Sequence, residues 1–395
     1  GLAALSPATI CTDQMLYLFS FLGRATTGLV ARAYGGTEQN TEKARSAAAS
    51  PLSVALICGA FLSVFYAAAT PRMLGALNVH PSLRPEAASY IYWRGSITWA
   101  ALAQNVCLSI LLATRDAVTP LKIVGLAALV NVVGDAALCA WPCQWGCAGA
   151  AAATAGATLA SCVGMVRALR NKELLPKVRI QTKAEFGELL EFTGPLFAIT
   201  VARLAGFLLM QQHAMKLGLK PLAAYQLAIN VFFFFLLFGE PLSQVAQTKL
   251  PPLLDSNNTK AVRSTFRSVI SLGSMVATGI GLAAGAFLWT ATHLFTRDAV
   301  VQAMARQTSP TIALAVATTI FAVAIDGAYL AARDFGFMLS VAIASTGLQM
   351  WLLRFSNSIS FILNTFTVRL ATYAVASLVR AAMGGGPLGR ALKGK

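Results

Sequence analysis

Charge is scarce in this chain. Only 12% of its 395 residues are Asp, Glu, Lys or Arg, where a soluble domain carries about 25%, so a water-soluble globule is not expected. The hydrophobic share of 56% excludes intrinsic disorder and coiled coil in the same way. Acidic residues number 15 and histidines 3. There is no glycine-rich phosphate loop, no His-rich metal motif and no nucleophile elbow, so an enzyme is not expected, nor is any cofactor. The net charge of +16 raises nucleic acid as a partner, but the basic residues sit between apolar runs instead of forming a patch with interleaved aromatics. No charged leader or cleavage site opens the chain, and no targeting peptide is read from it. Cys139, Cys143 and Cys147 share one short turn with Trp141, Pro142 and Trp145, and lack a nearby His or carboxylate. They read as an interfacial turn and not as a metal site.

What the chain has instead is long apolar runs. A spanning helix needs about 20 apolar residues to cross about 30 Å of hydrocarbon. Residues 46–71, 95–114, 268–296 and 335–353 meet this with no charge at all. Windows 8–34, 123–140, 192–215, 221–248, 307–332 and 355–379 carry one to three ionisable groups each, and the small-residue stretch 148–166 completes eleven. The connections between them alternate in charge: 20 of the 31 basic residues fall in one alternate set, together with the tail, and 8 in the other. The C-terminus is therefore expected on the positive, cytoplasm-like side. His80, His213 and His293 sit near span ends and read as interfacial.

Two fingerprints repeat at one distance. Asn40-Thr41 with Arg45-Ser46 returns as Asn258-Thr259 with Arg263-Ser264, and Arg115-Asp116 returns as Arg333-Asp334, each 218 residues on. That offset lays the first five spans onto the last five and implies a parallel repeat of two bundles, residues 1–180 and 181–395, related by an axis along the membrane normal. The sixth span, 192–215, has no partner at this offset. The fold class expected is thus an all-α integral membrane protein with eleven of twelve spans, the first helix missing.

Mid-span ionisable groups are costly and mark ion or substrate paths. Asp135 follows Asn131 by one turn, and Thr154 lies on the next helix among small residues. A carboxylate so placed could take up and release a proton or hold sodium, the competing reading being a polar clamp between helices. In 221–248, Pro241 is expected to kink the helix. Glu240, Gln244 and Gln247 then line a substrate cavity, with Gln226 and Asn230 extending the polar face. Arg203 and Asp326 are a candidate intramembrane pair, while Arg203 is also a candidate partner for Glu240.

The segments Phe21–Ala31, Arg115 through Pro120 to Asp135, and Gly146–Thr154 resemble the multidrug and toxic compound extrusion (MATE) family, in its DinF-like branch. Gly239–Gln244, Phe295–Asp298 and Leu330–Asp334 are similar to the plastid-envelope members of that branch. The resemblance implies twelve helices in two lobes, alternating access, and export of small organic solutes driven by proton or sodium entry. It also implies an N-lobe coupling network in which Asn131, Asp135 and Thr154 match the family, while the first-helix acid has no counterpart. The function expected is a secondary active antiporter in the bilayer, in a plastid envelope or thylakoid membrane. The alternative is a transport-inactive scaffold subunit bound to other membrane-complex subunits.

Overall fold

The computed structural model describes residues 2–35, 40–76, 81–140, 143–178, 183–256 and 258–394, and among these every regular element is helical. His80, Trp141 and Pro142 lie outside the described residues. Residue contacts divide the chain into two compact units, Gly1–Phe197 and Ala198–Lys395.

The first unit holds α1 (Leu2–Leu18), α2 (Phe21–Tyr34), α3 (Thr41–Ala76), α4 (Arg84–Ser96), α5 (Thr98–Ala113), α6 (Val118–Asp135) and α7 (Cys147–Asn171). Helix α8 (Lys183–Lys216) leads into the second unit. There follow α9 (Leu219–Leu236), α10 (Glu240–Asp255), α11 (Thr259–Thr290), α12 (Ala299–Gln307), α13 (Ser309–Ala331), α14 (Phe335–Leu353), α15 (Ile359–Met383) and α16 (Gly386–Lys393). Among the described residues, nine helical stretches are long and apolar enough to span a membrane, or ten if the pair α4–α5, bent by 47°, is one span. The window 8–34 falls on α1 and α2, which part at Phe19 and Ser20. The window 221–248 falls on α9 and α10, which part at residues 237–239.

Both units are assembled by one scheme, and the 218-residue offset predicts it. In the first, α2 packs on α3 and α5, α3 on α5, α5 on α7 and α6 on α7; in the second, α10, α11, α13, α14 and α15 repeat those pairings. Local details repeat too. Asn40 Oδ1 accepts from the Lys43 amide and Asn258 Oδ1 from the Ala261 amide, each satisfying one of the orphan donors at a helix start. Arg115 and Arg333 both take the left-handed conformation, with φ of 65° and 55°, and close the preceding helix in the same way. The amides of Asp116 and Asp334 return to the carbonyls of Leu111 and Tyr329.

Close approach in lipid needs small residues, because helix association there rests on packing and hydrogen bonds instead of water exclusion. Gly281 and Gly285 on α11 meet Ala313 on α13 so tightly that a Cβ at either would lie 2.6 and 2.8 Å from it. Gly59 of α3 lies against the Trp99 backbone and Gly327 of α13 against Ser243, and neither has room for a side chain. One matched pair of helices differs in burial. Of α6 only Pro120 is buried, whereas α14 buries six residues, Gln349 completely.

Candidate functional site

In the first unit the polar centre lies where α6 meets α7. Asp135 is the last α-helical residue of α6, and a single turn of wider π-helix, Ala136–Ala140, follows it. Gly146, at φ 57°, lets the chain turn into α7, and Gly149 brings α7 against the Leu138 carbonyl, 2.7 Å from where a Cβ would stand. That contact sets the register in which Asn131 Nδ2 donates to Thr154 Oγ1 at 3.3 Å, while the Thr154 hydroxyl donates to the Ala150 carbonyl at 2.9 Å. Asp135 takes no part in this bond. It is half-buried, and its buried Oδ1 has no hydrogen-bond partner among the described residues. An unsatisfied carboxylate oxygen in a membrane span is costly, which leaves it ready to bind a proton or cation. Cys139 is half-buried, Cys143 exposed and Cys147 buried. Among the described residues no group of three or more metal-ligating side chains converges.

The second unit holds a larger polar cluster. Arg203 Nη2 of α8 donates to Asp326 Oδ1 of α13 at 3.0 Å, and the Tyr373 hydroxyl of α15 donates to the same oxygen at 2.6 Å. One turn away along α15, Arg369 Nη1 donates to Gln349 Oε1 of α14 at 3.1 Å. Its guanidinium stacks 4.8 Å from the Phe366 ring centroid. Gly206 of α8 leaves the space that Arg369 and Gln349 fill. Asp326, Gln349 and Arg369 are buried, and Tyr373 is 4% exposed. These groups join four helices through charge-assisted bonds, an arrangement that fixes packing and commits Asp326 Oδ1 to two donors.

Sequence reasoning gives Tyr373, Gln349 and Arg369 no role. A signal exists for two of them: Arg369 is a lone mid-span charge, and Gln349 stands 218 residues after Asn131.

The polar stretch of α9 and α10 does not form one lining. Glu240 is exposed at the first residue of α10, and Pro241 follows at a position where its missing amide costs nothing. The proline therefore opens a helix after the joint at 237–239 instead of kinking a continuous one. Gln244 is half-buried. Gln247 is buried, donating to Ser243 Oγ at 3.0 Å, and its Oε1 is unpartnered among the described residues. Gln226 is half-buried and Asn230 exposed on α9. Arg203 is held by Asp326, and Glu240 forms no ion pair among the described residues.

Outside the spans, Asp116 caps the start of α6 by accepting from the Thr119 amide at 3.0 Å, and Lys172 Nζ stands 2.6 Å from its other oxygen. Partial burial opposes its ionised form. Bonds from Lys172 and from the Thr119 hydroxyl and amide outweigh this and bring its pKa down to about 2. Asp334, its counterpart by the offset, is gripped in a fork by Arg380 at 2.8 and 3.2 Å.

Known proteins share both the sequence pattern and this architecture. The family model MatE matches residues 1–136 and 195–355. Protein DETOXIFICATION 47, chloroplastic, of Arabidopsis thaliana is 28% identical over 348 residues, covering 87% of this chain and 64% of that protein. Protein DETOXIFICATION 43 of the same plant is 24% identical over 346 residues, covering 86% and 65%. The chain thus spans just under two thirds of the length of these relatives. Among solved structures, an outward-facing multidrug resistance MATE family transporter of the MOP superfamily aligns with a TM-score of 0.84. The match covers 100% of this chain and 89% of that one at 16% identity. A MOP superfamily transporter from Pyrococcus furiosus aligns with a TM-score of 0.82 at 16% identity, covering 96% and 86%. The fold is shared with both.

Proposed function

The chain belongs to the MatE family, and from that premise we propose that it is a secondary active antiporter. It exports small organic solutes in exchange for protons or sodium, across a plastid envelope or thylakoid membrane, with its C-terminus on the stromal, positive side. The observation that carries the reading is Asp135: a carboxylate inside the span Val118–Cys139 with a buried oxygen that has no hydrogen-bond partner among the described residues, beside the Asn131–Thr154 bond. A structural clamp would use that oxygen. A coupling site must leave it open for the ion.

Within α9 and α10, Glu240 and Gln244 keep enough exposure to meet a solute, with Gln226 and Asn230 as further contacts, whereas Gln247 is committed to Ser243. The printed names of the relatives, two of the three being chloroplastic, support the plastid assignment.

The deciding experiment is transport by the purified chain in proteoliposomes. Asp135→Asn is expected to cut gradient-driven flux at least tenfold under a pH or a sodium gradient while leaving the melting temperature unchanged. Flux equal to wild type would remove Asp135 from coupling. A scaffold role is favoured by one observation, the exposed apolar face of α6 carrying Leu121, Leu126, Leu129 and Val132, which a partner subunit's helix could cover. The same assay separates the two, since a scaffold chain moves no solute with Asp135 intact.

A further inference from the structure

The last two helices of the second unit build a pocket together with α11. Gly384 at φ 79° and Gly386 at φ 69° turn the chain after α15 so that α16 folds back onto α15 and α11. There Leu388 is fully buried, Arg263 Nη2 donates to the Leu392 carbonyl at 2.8 Å, and Lys393 Nζ donates to the Met383 carbonyl at 3.0 Å. Between the three helices lies a pocket of about 500 Å³.

Its lining divides by chemistry. Arg263 and Arg267 of α11 and Lys393 of α16 bring three cations to it, and among the described residues no carboxylate lines it. Among the described residues none of the three forms an ion pair, and Arg267 is exposed. Phe266, Ile270 and Leu378 supply an apolar wall, with residues 263, 266, 267 and 270 falling on one helical face. The pocket sits at the end of the apolar stretches Thr259–Thr290 and Ile359–Met383, where a spanning helix is expected to leave the membrane. Deeper along those spans the large exposed side chains are apolar, Leu272 and Met275 on α11 and Val375 and Val379 on α15, with small hydroxyl residues such as Ser274 and Thr372 between them.

The first unit provides the contrast. Arg45, 218 residues before Arg263, lines a smaller pocket of about 200 Å³ together with Lys177, but there Glu42 answers the charge and Ala49 stands where the second unit has Arg267. Of the two, the larger pocket converges like charges without a counter-charge. Such an arrangement is stable when an anion completes it, and the apolar wall leading to hydrocarbon selects an anion that carries a tail.

We propose that this pocket binds an anionic membrane lipid, its headgroup phosphate held by Arg263, Arg267 and Lys393 and its first acyl carbons lying against Phe266, Ile270 and Leu378. The test uses the full chain in nanodiscs of phosphatidylcholine with and without phosphatidylglycerol, and counts retained lipid by native mass spectrometry. Wild type is expected to keep one phosphatidylglycerol per chain in preference to phosphatidylcholine. Arg267→Gln and Lys393→Gln, both at exposed positions, are expected to weaken retention about fivefold each, near 25-fold together. Ala382 of α15 also lines the pocket, and Ala382→Trp, which fills the apolar part, is expected to weaken retention with the cations intact. Inorganic phosphate at millimolar concentration is expected not to displace the lipid. Equal retention of the two lipids, or unchanged retention in the double variant, overturns the proposal. Displacement by inorganic phosphate alone also overturns it, showing an anion site without a lipid.

Discussion

Two mid-span carboxylates, Asp326 and Asp135, occupy opposite situations. Asp326 has its Oδ1 bonded to both Arg203 and Tyr373, so its charge is neutralised locally. Removing one member of such a pair strands the other. Asp326→Asn or Arg203→Gln is therefore expected to lower stability by about 3–5 kcal/mol, while replacing both with leucine costs less than the sum of the single changes. Thermal unfolding in detergent across the double-mutant cycle checks this, and additive losses would show that the pair is not coupled. Asp135 should behave differently. Its Oδ1 makes no hydrogen bond among the described residues, so the amide variant breaks none there, and stability should hold while flux falls. Both carboxylates are legible in the sequence because a charge inside an apolar run stands out. Tyr373 is not, because neutral polar residues are common in spans, and Gln349 is marked only by its 218-residue offset from Asn131; three-dimensional packing brings both to the charges.

At the level of elements, the long apolar windows can be read directly, since their length alone requires a spanning helix. The joints cannot. Pro241 reads as a kink within a span, yet it sits in the first turn of α10, after a break to which the neighbouring phenylalanines give no clue. The repeat nevertheless marks the helix ends. Arg115 and Arg333 carry the strain of a left-handed backbone at equivalent caps, about 1–2 kcal/mol for a residue with a Cβ. Arg115→Gly or Arg333→Gly is expected to raise stability by about 0.5–1 kcal/mol, after the greater freedom of glycine in the unfolded chain is subtracted. A lower melting temperature would mean that the arginine side chain contributes more than the backbone loses. The neighbouring cap at Asp116 adds a pH dependence with a definite sign. Its folded pKa of about 2 lies below the ordinary carboxylate value of 3.8 that it regains on unfolding. Its contribution is therefore fully present above about pH 4 and disappears as the pH falls toward 2. Asp116→Asn should lower stability at pH 7 and converge with wild type near pH 2. A constant difference across that range would assign the effect to the cap geometry alone.

For the whole molecule, the charge alternation and the spans together predict which ends share a side. Between Cys143 and the C-terminal tail the chain makes seven crossings, through Cys147–Asn171, Thr193–Lys216, Leu219–Asp255, Thr259–Thr290, Ser309–Ala331, Phe335–Leu353 and Ile359–Met383. Seven is odd, so Cys143 should face the side opposite to Lys393. The basic residues agree, because the connection holding Cys143 carries none and the tail carries four. The cysteines make this measurable without engineering: Cys143 is exposed, while Cys11, Cys107, Cys147 and Cys162 are buried and Cys58 and Cys139 half-buried. In sealed vesicles whose C-terminal tag is protected from protease, a membrane-impermeant maleimide should label the chain from outside, and Cys143→Ser should abolish the label. In vesicles of the reverse orientation the tag should be cleaved and the label appear only after permeabilisation. Label and cleavage on the same side would require an even number of crossings, and with it the loss of one of the seven spans.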